Sequence, residues 1–313
     1  MGLFAKNAKN PGWLSFCLQG ESVYAAHVKR SHAAKPEVTL LASIPTENSP
    51  AAGLEKLARE LHAQRFQCTT LLAPDEYKIM TVDAPNVPPD ELKAAIRWRL
   101  KDLLDFHVDD ATIDVLDIPV DKNTPSRAHS MYAVAARNQL IEQRQALFGE
   151  AKIPLGVIDI PEMAQRNFSV LLEPEGRGVA LLSLGDSGGL LTVSFRGELY
   201  LTRHIEVTLP QIAGAHDRQS AYDRITLELQ RSLDHFDRQY NFVAVSKLIL
   251  APMDAAAQGL KEHLAANMYM PIEVLDLETV LDISKVPDLQ LPEHQQHYFM
   301  ALGAALRFEE KAL

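Results

Sequence analysis

Positive charge is what this sequence has least of. Its 313 residues carry 31 lysines and arginines against 41 aspartates and glutamates, a formal net charge of −10. Nucleic-acid binding needs a positive footprint, and no basic block is longer than Lys29-Arg30, so DNA and RNA are excluded as main partners. The acidity is dispersed and reads as solubility, not as an acidic tail. Cysteine is almost absent. Cys17 and Cys68 lie far apart without metal-ligand spacing, which excludes a disulfide framework and predicts buried thiols in a reducing compartment. No apolar run approaches the roughly 20 residues of a membrane span. The stretch Met1 to Lys9 holds two lysines and too little apolar length for a signal peptide. The expectation is a cytosolic protein, peripheral to a membrane at most.

An apolar fraction of 47% supports a large core, and the length suits two domains or one deeply cleft protein. The most informative segment runs from Val179 to Ile205. An apolar stretch (179–184) enters Gly185-Asp186-Ser187-Gly188-Gly189; a second (190–195) leaves it, turns at Arg196-Gly197 and leads into a third (199–205). This is a β-meander whose glycine-rich loop is able to cradle an anion with backbone N–H groups. No helix follows the loop, which argues against a P-loop or a dinucleotide fingerprint.

A second meander opens the chain: a strand from Trp13, a turn at Gln19-Gly20-Glu21, then strands over 23–28 and 37–44. Helical spacing follows over 53–65, then a short strand at 69–72. Residues 74–136 read as an inserted α+β subdomain: a strand (77–82), a helix from Asp90 with Leu92, Ile96, Leu100 and Leu103 as its apolar stripe, and strands at 112–118 and 131–136 around a polar loop (121–129). Helices are predicted over 139–148, 161–172, 220–238, 254–266 and 297–308, with strands at 156–160, 248–250 and 272–275. Both halves thus repeat meander, helix, strand and helical segment, and this duplication is the main architectural clue. It divides the chain into lobes 1–155 and 156–313, the last helix packing back on the first lobe.

Four segments, in order and spanning most of the chain, carry a resemblance. Asp90 to Leu100 resembles the helix of an inserted subdomain, and Ala180 to Arg203 a second phosphate loop. Gln230 to Phe236 resembles an Arg-Ser-Leu-Asp helix motif, and Ala301 to Arg307 an adenosine motif. Together they resemble the PilM family of type IV pilus assembly proteins, more narrowly its MshI, mannose-sensitive agglutinin branch. The resemblance implies an actin-like, duplicated α/β fold with two lobes around a cleft. It also implies a cytoplasmic adaptor that binds the N-terminal tail of a PilN-like inner-membrane protein and works with other pilus assembly proteins. Membrane contact would come only through that partner.

Departures from the family pattern bear on chemistry. Where the first phosphate loop holds a metal-orienting aspartate and a lysine, this chain has Leu18 and Tyr24; the second loop has Ser183 for its aspartate. Mg²⁺ usually needs one or two such carboxylates beside the phosphates. Asp186 comes three positions late, and Glu21 adds repulsion. Gly20, Glu21, Ser22, Gly185, Asp186, Ser187, Gly188, Gly189, Gly303 and Arg307 therefore read as a vestigial nucleotide pocket. No cofactor is expected, with Mg-ATP as the alternative.

Trp98, flanked by Arg97 and Arg99, has two readings: an anchor for a partner peptide, or an aromatic packed on the subdomain's own sheet, which is preferred. The two arginines read first as a solvated helix face. His294 and His297 have zinc-like spacing but no third ligand. Gly-Asp-Ser-Gly-Gly resembles a serine-protease loop without accompanying His and Asp motifs. Two other functions stay open: a nucleotide-hydrolysing actin-like ATPase and a self-assembling structural protein.

Overall fold

A computed structural model describes residues 11–30, 34–46, 49–120, 129–214, 218–253 and 258–308. The polar loop read at 121–129 lies outside these except for His129, as do residues 254–257 at the start of a predicted helix and the N-terminal stretch 1–10.

Two five-stranded sheets share one topology. In the first, β1 (Trp13–Gln19), β2 (Ser22–Lys29) and β3 (Glu37–Pro45) form an antiparallel meander. Helix α1 (Pro50–Glu60) then returns the chain to β4 (Gln67–Leu71), parallel to β1. Helix α1 starts where Ser49 accepts the Ala52 N–H and proline occupies the first turn; Leu54, Leu57 and Ala58 face the sheet. After an inserted subdomain, β8 (Leu155–Asp159) adds in parallel beside β4, giving the order β3-β2-β1-β4-β8.

The second sheet repeats this plan. Strands β9 (Gly178–Gly185), β10 (Gly188–Phe195) and β11 (Glu198–Ile205) form the meander; β12 (Val245–Leu250) and β13 (Ile272–Val274) add in parallel, in the order β11-β10-β9-β12-β13. The glycine-rich loop is shorter than its sequence suggests. Gly188 pairs with Gly185 and Gly189 with Leu184, so only Asp186 and Ser187 lie in the turn. These glycines answer packing demands. A Cβ on Gly188, whose φ is +123°, would meet the His204 ring at 2.6 Å, and one on Gly189 the Leu184 side chain at 2.8 Å.

The insert is the three-stranded antiparallel sheet β5 (Tyr77–Asp83), β7 (Ser130–Arg137), β6 (Ala111–Asp117), with α2 (Leu92–Leu100) against one face. Strand alternation sends Val82, Met131, Ala133 and Ala135 toward Ile96 and Leu100 of α2. Tyr77, Ile79, Thr81 and Tyr132 point the opposite way. The predicted helix is shortened at both ends. Residues 89–91 form a 3-10 turn, and Leu103, read as core, is 53% exposed beyond the end of α2. Helix α3 (Asn138–Glu150) leads back to the first sheet.

Two helices fill the space between the sheets, α4 (Pro161–Leu172) and α8 (Pro292–Ala305); α8 starts five residues before its predicted position, with proline in its first turn. Phe168 and Phe299 stack at 4.6 Å between centroids in a core that joins Cys17, Ala26 and Val28 of the first sheet to Val179, Leu181 and Ile249 of the second. Full burial of each such large apolar side chain contributes about 1.5–3 kcal/mol. The helices meet at Gly303, where a Cβ would sit 2.6 Å from the Ala164 carbonyl oxygen. The Asn167 amide donates to the Gly303 carbonyl at 2.9 Å, and the Ser15 hydroxyl to Ala301 at 2.7 Å. Helices α5 (Leu209–Ala213), α6 (Arg218–Gln239) and α7 (Gln258–Asn267) belong to the second half; α6 buries Tyr222, Ile225, Leu229, Leu233 and Phe236 at helical spacing.

Candidate binding cleft

A cavity of about 1130 Å³ opens between the two sheets. Its walls are the β1–β2 turn (Gln19, Gly20), the β9–β10 turn (Asp186, Ser187), the bare face of the insert (Tyr77, Ile79, Thr81, Tyr132), the start of α4 and one side of α8 (His297, Met300). The segment after β4 completes it. Glu76 accepts the Ala73 N–H at 2.7 Å and is gripped by both carboxylate oxygens to Arg144, which also donates to the Leu71 carbonyl.

The residues expected to form a nucleotide pocket divide. Gly20, Gly185, Asp186, Ser187, Gly188 and Gly189 line the cleft. Glu21, Ser22, Gly303 and Arg307 are not in its lining. Ser22 pairs within the sheet with Gln19 and Pro45, and Glu21 gives its carbonyl to the Thr46 N–H. Gly303 is the helix-crossing point. Arg307 is held away by Asp159 at 2.5 Å and lies 5.9 Å from the Trp13 ring centroid.

Leu18 and Ser183, at the two positions where a metal-orienting carboxylate is expected, both line the cleft. The Ser183 hydroxyl donates to the Gln165 side-chain carbonyl at 2.8 Å, and the Gln165 amide is bound to the carbonyls of Leu181 and Leu190 and to Thr192. Tyr24 stacks on His297 at 5.8 Å. No group of three histidines, cysteines or carboxylates able to hold a metal occurs among the described residues. Neither Leu18 nor Ser183 supplies a carboxylate at those two positions; Asp186 and Glu162 are carboxylates elsewhere in the cleft wall.

Arg97, Trp98 and Arg99 are away from the cleft, because α2 covers the opposite face of the insert's sheet. The Arg97 guanidinium donates to the Val108 and Ala111 carbonyls, and Arg99 to that of Asp83. Trp98 does not pack on the sheet and is 77% exposed.

The cleft's most unusual group was not singled out by the sequence. Glu162, in the first turn of α4, is 3% exposed. It accepts the Tyr77 hydroxyl at 2.5 Å and the Thr202 hydroxyl at 3.4 Å, joining the insert, α4 and β11. Burial pushes its carboxyl above the usual carboxylate range, against these hydrogen bonds. Burial also raises the Tyr77 phenol, which stays a donor, and pushes the Cys17 thiol up to about 12. The Tyr132 hydroxyl crosses the same gap to the Tyr200 carbonyl at 3.0 Å. The signal for Glu162, Pro-Glu at a helix start, is indistinguishable in sequence from an ordinary acid favoured by the helix dipole.

Two duplicated sheets, crossing helices between them and a cleft at their meander turns invite comparison with solved structures. A PilM-PilN type IV pilus biogenesis complex superimposes with a TM-score of 0.70 at 20% identity, over 94% of this chain and 98% of that one. The fold is actin-like. A Bacteroides thetaiotaomicron protein with actin-like ATPase fold and unknown function matches with a TM-score of 0.50 at 11% identity, over 93% and 99% of the two chains. No protein-family model and no curated protein matches the sequence. No described helix is long and apolar enough to cross a membrane. The cleft lies between the halves of this actin-like duplication, with the insert as its third wall.

Proposed function

We propose that this chain is a cytoplasmic adaptor of a type IV pilus assembly machine, of the mannose-sensitive agglutinin type. It holds the N-terminal tail of a PilN-like inner-membrane protein in the cleft and is not an enzyme. The observation that carries the reading is likeness to a PilM-PilN complex over 94% of the chain, joined to the four sequence segments. The loss of both metal-orienting carboxylates, at Leu18 and Ser183, favours a peptide over a nucleotide. A cleft of about 1130 Å³ between the insert and the lobes suits an extended peptide held by its backbone and a few side chains.

The test is fluorescence anisotropy with a labelled tail peptide from the neighbouring PilN-like protein, without nucleotide. Saturable binding in the micromolar range, about −8 kcal/mol, is expected, since an extended tail loses conformational freedom on docking. Absence of saturable binding refutes the adaptor. The second reading, an actin-like nucleotide-binding ATPase, draws on Asp186 and Glu162 as carboxylates in the cleft wall.

A further inference from the structure

Two carboxylates are buried where the halves of the molecule meet, and they are treated differently. Asp159 has Arg307. Glu162 forms no ion pair among the described residues; its partners are neutral, the hydroxyls of Tyr77 and Thr202 and its own backbone N–H. A carboxylate offers about four acceptor positions, so the two hydroxyls and the Glu162 backbone N–H together leave capacity unused. An anion withdrawn from water without a counter-charge is costly, and a helix N-terminus offsets only part of that cost. Glu162 also lines the cleft.

We propose that Glu162, framed by Tyr77 and Thr202, is the receptor for one cationic group, an ammonium or guanidinium, brought into the cleft by a bound peptide. The three residues come from α4, the insert and β11, so the receptor exists only when these elements are together, and its occupant touches all three. The carrier is assigned on the adaptor reading: cytoplasmic flanks of membrane-spanning segments are rich in lysine and arginine. An acidic partner segment is excluded, because it would set two anions together in a low-dielectric site.

Two measurements separate this proposal from that reading. In protein ¹³C-labelled at glutamate carboxyls, the Glu162 resonance is assigned by its loss in Glu162→Gln. Titration with acetyl-arginine methylamide is expected to shift it saturably, and the neutral citrulline analogue to leave it in place. No shift, or equal shifts, overturns the receptor. In the second measurement, each basic residue of the tail peptide is replaced by methionine. One replacement is expected to weaken binding to the wild type by at least about tenfold and to Glu162→Gln by less than about twofold. The same loss in both proteins overturns the assignment. A tail that fails to bind while the arginine derivative shifts Glu162 upholds the receptor and refutes the adaptor. Glutamine keeps an acceptor for Tyr77 and Thr202, and an unchanged melting temperature verifies that the variant is folded.

Discussion

Arg307 reaches back across 148 positions to Asp159, and the pair closes at 2.5 Å with both side chains nearly inaccessible to solvent. Removing one partner strands the other charge. Arg307→Ala is therefore expected to cost about 3–5 kcal/mol, read as a lower denaturation midpoint with an unchanged m-value. A change below about 0.5 kcal/mol would show that the pair contributes nothing net.

Helix α2 offers an internal contrast. Trp98→Ala should alter stability by less than about 0.5 kcal/mol, because its ring meets mostly solvent. Arg97→Ala should cost about 1.5–3 kcal/mol, because two carbonyls lose a charged donor. With α2 on the far side of the insert, neither variant should change tail affinity, as anisotropy would report. Loss of binding in folded Trp98→Ala would move the docking site to the outer face.

Titration calorimetry with millimolar Mg-ATP should give little or no heat, and a phosphate-release assay no turnover. Ser183 brings no negative charge to a metal, and its hydroxyl is already given to Gln165. Micromolar binding at 1:1 stoichiometry would favour the nucleotide-binding reading instead.

His27 makes stability fall in mild acid. Its Nε2–H donates to the Pro11 carbonyl at 3.1 Å and its Nδ1 accepts from Thr39, an arrangement for the neutral ring. Burial lowers its pKa below 6.5. The unfolded chain therefore takes up the proton first as pH drops. Stability is full above about pH 6.5 and declines between that value and the lowered folded pKa. Melting temperatures from pH 7.5 to 5 should fall less steeply in His27→Asn than in the wild type; parallel curves would rule the histidine out.

Period-two apolar runs bounded by turn residues made both meanders legible, and their repetition made the duplication legible with them. What escaped depended on contacts distant in sequence. Gly188 and Gly189 look like loop residues until His204 and Leu184 are seen against them. Leu103 keeps the helical spacing of a core residue, and nothing in the local sequence announces that α2 stops at Leu100. Arg97 looks like a solvated charge, because its carbonyl acceptors come from the turn that follows. Gly303 and Arg307 were placed in a pocket by resemblance, whereas packing against Ala164 and pairing with Asp159 occupy them.

The bond between Ser15 and Ala301 spans 286 positions and lies in the core. A chain made from its N-terminus can pair β1 with β2 early, but the apolar side that later receives α8 stays bare until residues 292–305 have been synthesised. The first lobe is therefore expected to need α8 to complete its core. Long-range closure of this kind also slows folding. Removing α8 would leave the first sheet without its cover even though all its strands were present, so deletion of residues 292–305 should damage the opposite end of the molecule more than the strands it follows.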